Sequence, residues 1–100
     1  MYKLYLDDIR NPKTSGWTIV RTYDEFVYHI KTYGMPIEMS LDHDLGEDLT
    51  GYDCVKWMVN EKQFDLRDIN INIHSANPIG GLNMQSLILN WNKWLDKNNK

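Results

Sequence analysis

A chain of 100 residues, 42% hydrophobic and 12% aromatic, has the length of one small domain and enough apolar content for a core, which excludes a multi-domain machine and a repeat array and speaks against a disordered chain. Eleven basic against fourteen acidic residues give a net charge of −3, and every Lys and Arg stands alone, so no basic nucleic-acid-binding surface is written in the chain. The single cysteine, Cys54, excludes an internal disulfide framework, and no basic region leads into an apolar run and no stretch is apolar enough to span a bilayer, so a cytoplasmic protein without a membrane partner is expected.

Residues 2–6 read as a strand that stops at Asp7-Asp8, and Pro12 makes the following segment a loop. Trp17 to Val20, aromatic and β-branched, is a second strand. Tyr23, Phe26, Val27 and Ile30 recur at helical spacing, so a helix is predicted over residues 23–33, with a Thr22/Glu25 capping box and Gly34 past its end. Ile37, Met39 and Leu41 alternate with polar residues in a third strand that runs into an acidic loop.

Thr50-Gly51 opens a second helix with an apolar stripe of Tyr52, Val55, Met58 and Val59, and Asp53 stands in its first turn, where the helix dipole favours an anion. Ile69 to Ile73 alternates strictly and ends at His74-Ser75. Met84, Leu87, Ile88, Trp91, Trp94 and Leu95 then give a long amphipathic helix over residues 81–96, with residues 97–100 expected to fray.

Strands alternating with helices argue for a mainly parallel four-stranded sheet of order 2-1-3-4. The connection over residues 7–16 is too short for a full helix. Right-handed crossovers put the first two helices on one face, and the third is expected to fold back over the other, making a small three-layer α/β domain. The fourth strand is expected at an edge with one wetted face, which fits Asn70 and Asn72 and leaves dimerisation open.

Three strands end in polar clusters: Asp7-Asp8, Asp42-His43-Asp44 and His74-Ser75. In an open α/β sheet ligands bind beyond the carboxyl ends of the strands, at the point where connections diverge, and here the first and third strands flank that point. Carboxylates brought that close need a divalent cation, a raised pKa or a basic neighbour such as Arg10, His43 or His74. Hard oxygen ligands suit Mg²⁺ or Mn²⁺ with phosphate chemistry, and a histidine supplies a general acid or base near neutrality. Ser75, Asn77 and Asn83 offer hydrogen bonds to phosphate oxygens, and Gly80-Gly81, just before the last helix, would let backbone N–H groups approach an anion. Thr50 and Asp53 read as helix-start residues, Glu47 and Asp48 as solvated acids, and Cys54 and most tryptophans as core.

Four motifs, Leu6-Asp7-Asp8-Ile9-Arg10-Asn11-Pro12, Leu41-Asp42-His43-Asp44-Leu45-Gly46, Thr50-Gly51-Tyr52-Asp53, and His74-Ser75-Ala76-Asn77-Pro78 with Gly80 and Asn83-Met84, together resemble the cyclic-phosphate-processing receiver-like domain family over nearly the whole chain. The resemblance implies a receiver-like, flavodoxin-type fold and a role in processing cyclic phosphate ends in RNA repair or conflict systems, often of bacteria and phages. Asp7, Asp8 and Asp42 match the acids with which signalling receivers bind Mg²⁺ and accept a phosphoryl group, and Ser75 could match their hydroxyl residue. Their lysine has no counterpart, which speaks against a phospho-accepting switch at Asp42.

The expected activity is therefore metal-assisted hydrolysis of a cyclic phosphate, in an RNA end or a small cyclic nucleotide. Asp7, Asp8 and Asp42 hold Mg²⁺ or Mn²⁺, while His43 and His74 exchange protons with water and leaving oxygen. Asp44 is a further ligand or the partner that orients His74, and Arg10, Ser75, Asn77 and Asn83 hold the phosphate. The alternative is a non-catalytic module that binds a phosphorylated ligand or a protein partner.

Overall fold

The structure, a computed structural model, describes residues 1–98. Its sheet contains β1 (Lys3–Leu6), β2 (Trp17–Val20), β3 (Glu38–Leu41) and β4 (Asn70–Ile73), all parallel and in the order β2-β1-β3-β4. Three helices accompany it: α1 (Tyr23–Tyr33), α2 (Gly51–Lys56) and α3 (Pro78–Asn98). This is the expected strand order and helix count.

The strand register sorts side chains into two faces. Leu4, Met39 and Ile71 form one row and Leu6, Leu41 and Ile73 the next, all on the same side. Against them pack Phe26 and Ile30 of α1, Cys54 and Val55 of α2, and Met84 and Ile88 of α3, in one continuous core. A Cβ at Gly81 would lie 3.5 Å from the Ile73 side chain, which places α3 on this face as well.

The expectation that α3 covers the opposite face is thus corrected: the fold has two layers. The far side of the sheet carries Lys3, Glu38, Asn70 and Asn72, which offer an apolar helix stripe nothing to bury. Ile19 is 39% exposed there, and the Lys3 ammonium sits 4.7 Å from the Trp17 ring centre. The helix-free connection of residues 7–16 crosses this side, anchored where the Trp17 indole N–H donates to Thr14 Oγ1 at 3.0 Å.

Local departures from expectation have local causes. Thr22 caps α1 by accepting from the Glu25 N–H at 3.1 Å, but the Glu25 carboxylate turns to the Arg21 N–H, so the α1 capping box is half made. At Thr50 and Asp53 both halves are present. α2 continues as a π-helical segment over Trp57–Glu61, closed by Lys62 N–H donating to Trp57 O at 3.0 Å. That widening turns Trp57, Met58 and Val59 inward together, where an α-helical stripe would have left Trp57 aside.

Ile37, expected inward, is 44% exposed because β3 begins one residue later. Trp94 is 53% exposed and stacks on Trp91 instead of entering the core. α3 starts at Pro78, three residues before its expected start, and runs through Asn98; the expected fraying of residues 99 and 100 lies outside the described residues. Among the described residues no helix is long and apolar enough to cross a membrane.

Candidate functional site

Sheet hydrogen bonding runs one residue past each strand end. Asp7 N–H donates to Val20 O, Asp42 N–H to Leu6 O and His74 N–H to Leu41 O, at 3.2, 2.9 and 3.0 Å. The residues that follow the four strands, Arg21, Asp7, Asp42 and His74, therefore form one row across the carboxyl end of the sheet.

Asp7 is fully buried, and both its oxygens are engaged. Oδ1 accepts from the backbone N–H groups of Ile9 and Arg10 at 3.0 and 2.8 Å. Oδ2 meets His74 Nε2 at 3.0 Å and Arg10 Nε at 3.1 Å. Burial works to raise the Asp7 pKa, but the two backbone N–H donors, His74 and the Arg10 guanidinium outweigh it and hold the carboxyl below the usual range.

Asp42 has the opposite balance. Burial, and then the negative charge of Asp7, push its carboxyl up against the His43 N–H at 2.8 Å and an Arg10 Nη2 at 3.7 Å. Asp8 completes the cluster: one carboxylate oxygen from each of Asp7, Asp8 and Asp42 lies within 4.8 Å of the others. Gly46, at φ +67°, passes so close that a Cβ there would lie 3.1 Å from Asp8 Oδ2. Of the foreseen compensations, a basic neighbour and a raised carboxyl are both present.

The donor set also fits a hard divalent cation. Asp7 already accepts from four donors, so the open oxygens belong to Asp8 and Asp42, and Mg²⁺ typically takes one or two carboxylates with water completing its shell. These acids face a depression of about 320 Å³ lined by Asp8, Ile9, Arg10, Asp42, Asp44 and Ala76.

Neither histidine is among the residues that line the depression, but each is bonded to an acid of the cluster or its rim. His43 Nδ1 lies 2.8 Å from Asp44 Oδ1, its ring packs against Gly80, and its Nε2 makes no hydrogen bond among the described residues. His74 has both nitrogens occupied, Nε2 by Asp7 and Nδ1 by Ser40 Oγ at 2.6 Å. Asp44 thus pairs with His43, and the partner that orients His74 is Asp7, not Asp44 as one expectation had it.

The residues after His74 go elsewhere. The Asn77 N–H donates to Ser75 Oγ, and Asn77 Oδ1 caps α3 by accepting from the Gly80 N–H, both at 3.0 Å. Gly80 and Gly81 lie inside the first turn of α3 rather than before it, and their N–H groups are bonded to Asn77. Ser75 and Asn77 line a separate depression with Pro78 and Gln85, and Asn83 is exposed on α3 away from both. Glu47, exposed as expected, also accepts from the Tyr23 N–H at 3.0 Å. Cys54 is buried in the core, which pushes its thiol pKa up.

Three residues of this region escape the sequence reading. Arg21 donates to the carbonyls of Asp7 and Arg10 and to Asn11 Oδ1, bracing the loop. Tyr5 stacks on His74 with centroids 4.5 Å apart and planes at 8°. Ser40 reads as an ordinary polar position of an alternating strand. The signal for it was register: Ser40 and Asn72 each precede a row residue by two positions and so share its face.

The family model for the cyclic-phosphate processing receiver domain matches residues 2–90. No curated protein and no solved structure gives a match.

Proposed function

We propose, since the chain belongs to the family of cyclic-phosphate processing receiver domains, that the depression between Asp8, Arg10, Asp42 and Asp44 binds a cyclic phosphate, in an RNA end or a small cyclic nucleotide, and hydrolyses it. The observation that carries this reading is the convergence of Asp7, Asp8 and Asp42 with the Arg10 guanidinium at the end of the sheet. Asp8 and Asp42, with Asp7 beside them, would hold Mg²⁺ or Mn²⁺, which when bound offsets the negative charge of the phosphate.

Arg10 is half exposed: its Nε is held by Asp7 Oδ2 at 3.1 Å and its Nη2 lies 3.4 Å from the His74 carbonyl and 3.7 Å from Asp42, which leaves Nη1 to meet phosphate oxygens. His43, oriented through Nδ1 by Asp44, has its other nitrogen open for a proton. In hydrolysis a water oxygen bonds to phosphorus, its proton passes to the imidazole, and the same proton returns to the ring oxygen as its P–O bond breaks. His74, with both nitrogens engaged, holds Asp7 instead.

Incubation with a 2′,3′-cyclic mononucleotide and Mg²⁺ or Mn²⁺ tests this. Opening to the monoester is expected, with large losses in His43→Ala and Asp42→Asn. Absence of turnover by folded protein overturns it. The closed Asp7–His74–Ser40 network favours a second reading, a module that binds a phosphorylated ligand without chemistry. Its mark would be a thermal shift with inorganic phosphate or Mn²⁺ and no turnover.

A further inference from the structure

Ser40 belongs to none of the four motifs, yet it is buried to 6% exposure in the middle of β3, on the face that the helices leave uncovered. Its Oγ lies 2.6 Å from His74 Nδ1, and Asn72 Nδ2 lies 3.4 Å from the same Oγ. On the far side of the imidazole, Nε2 lies 3.0 Å from Asp7 Oδ2. Tyr5 stacks flat on the ring and fixes its plane.

Chemistry sets the direction of this chain. An ionised carboxylate only accepts, so the nitrogen facing Asp7 must carry the hydrogen. In a neutral imidazole the other nitrogen is then an acceptor, and the group facing it must donate. Of the two side-chain groups at Nδ1's end of the chain, the Ser40 hydroxyl donates to Nδ1, and the Asn72 amide donates to the hydroxyl oxygen.

We propose that Ser40 is a positioning residue of the site, which acts with Asp7 to fix His74 as the Nε2–H tautomer in its observed ring orientation and thereby holds Asp7 in place as a carboxylate toward Asp8 and Asp42. Ser40 is too enclosed by Tyr5, Asn72 and His74 to touch a substrate, and it acts through the imidazole. Without the hydroxyl, Nδ1 faces no donor, and the ring is free to change tautomer or turn over, so that Asp7 Oδ2 loses a partner. Outer-shell partners of this kind are worth roughly ten- to a hundredfold in activity or metal affinity.

The tautomer is read directly from the ¹⁵N shifts of the His74 ring in labelled protein, with His74→Asn assigning the signals. Wild type is expected to carry its hydrogen on Nε2 with Nδ1 bare, Ser40→Thr to keep that state, and Ser40→Ala to populate the Nδ1–H form. Hydrogen on Nδ1 in the wild type overturns the proposal without any variant, and so does an unchanged tautomer in folded Ser40→Ala. The kinetic arm rests on the hydrolytic reading: with a cyclic mononucleotide, Ser40→Ala is expected to lower kcat about tenfold, with KM nearly unchanged and Ser40→Thr restoring it. Should the wild type turn nothing over, the hydrolytic reading falls and the ring shifts alone decide the role of Ser40.

Discussion

His74 and Asp7 are joined by a 3.0 Å hydrogen bond between the ends of β4 and β1, two strands that are not neighbours, across the strand that separates them. The bond ties an edge of the sheet to its centre over the carboxyl end of β3. Removing the imidazole leaves a fully buried carboxylate short of one donor. His74→Ala is therefore expected to lose about 2 kcal/mol in urea unfolding at neutral pH, the usual scale for a hydrogen bond to a charged group.

Asp7 and Asp42 should answer pH with opposite signs. The folded pKa of Asp7 is depressed below the ordinary 3.8, so its contribution to stability is present above that value and fades as pH falls through the lowered one. That of Asp42 is raised, so its contribution is present below 3.8 and is lost as pH rises through the raised one. In metal-free buffer at about pH 7, Asp42→Asn is expected to unfold at higher urea than wild type and Asp7→Asn at lower. Near pH 2 both differences should shrink. Urea midpoints at the two pH values check this.

Under the proposed function Arg10 and a divalent cation would neutralise the same acids, so each should matter more without the other. Arg10→Gln is expected to melt lower than wild type in chelator and to recover more with millimolar Mn²⁺, since a ligand at about a hundred times its Kd adds roughly 2.7 kcal/mol to the folded state. Differential scanning fluorimetry with and without the ion reads the effect. Equal ion-induced shifts in both proteins would separate Arg10 from the cation site.

Two glycines make opposite demands. A Cβ at Gly80 would fall 2.5 Å from His43 ring atoms, a side chain that can give way, so Gly80→Ala should fold and lose turnover as His43 leaves Asp44. At Gly51 the added carbon would collide with the Asp42 carbonyl, backbone that cannot yield. Gly51→Ala should fail to reach the native state, as judged by circular dichroism and gel filtration.

Thr50 accepts from the Asp53 N–H while Asp53 accepts from the Thr50 N–H at 2.7 Å. Thr50→Ala should cost about 1 kcal/mol of stability, measured by urea unfolding, with no change in phosphate binding.

Much of this was legible in the chain because local rules and the tertiary fold agree. Thr50 with Asp53, the alternation before His74 and the acids after the strands led to the right strand order and to one shared sheet end. The position of α3 was not legible, since its stripe says what it buries and not which face of the sheet receives it. Nor were the pairings of His43 and His74: Asp44 was expected as a further ligand or as the partner of His74, and only the register of β1, β3 and β4 assigns Asp7 to His74 and leaves Asp44 to His43. Ser75 and Asn77 looked like phosphate donors because the same groups serve turns and caps.

The uncovered sheet face also bears on how the strands find their pairing. In a parallel sheet sandwiched between helices both parities of a strand are apolar, and a shift by one residue exchanges one oily row for another. Here such a shift of β4 would bring Asn70 and Asn72 into the core and turn Ile71 and Ile73 to water. The absent layer thus works as a proofreading device for a sheet made of four-residue strands, and it keeps Asp42 and His74 at equal height with Asp7.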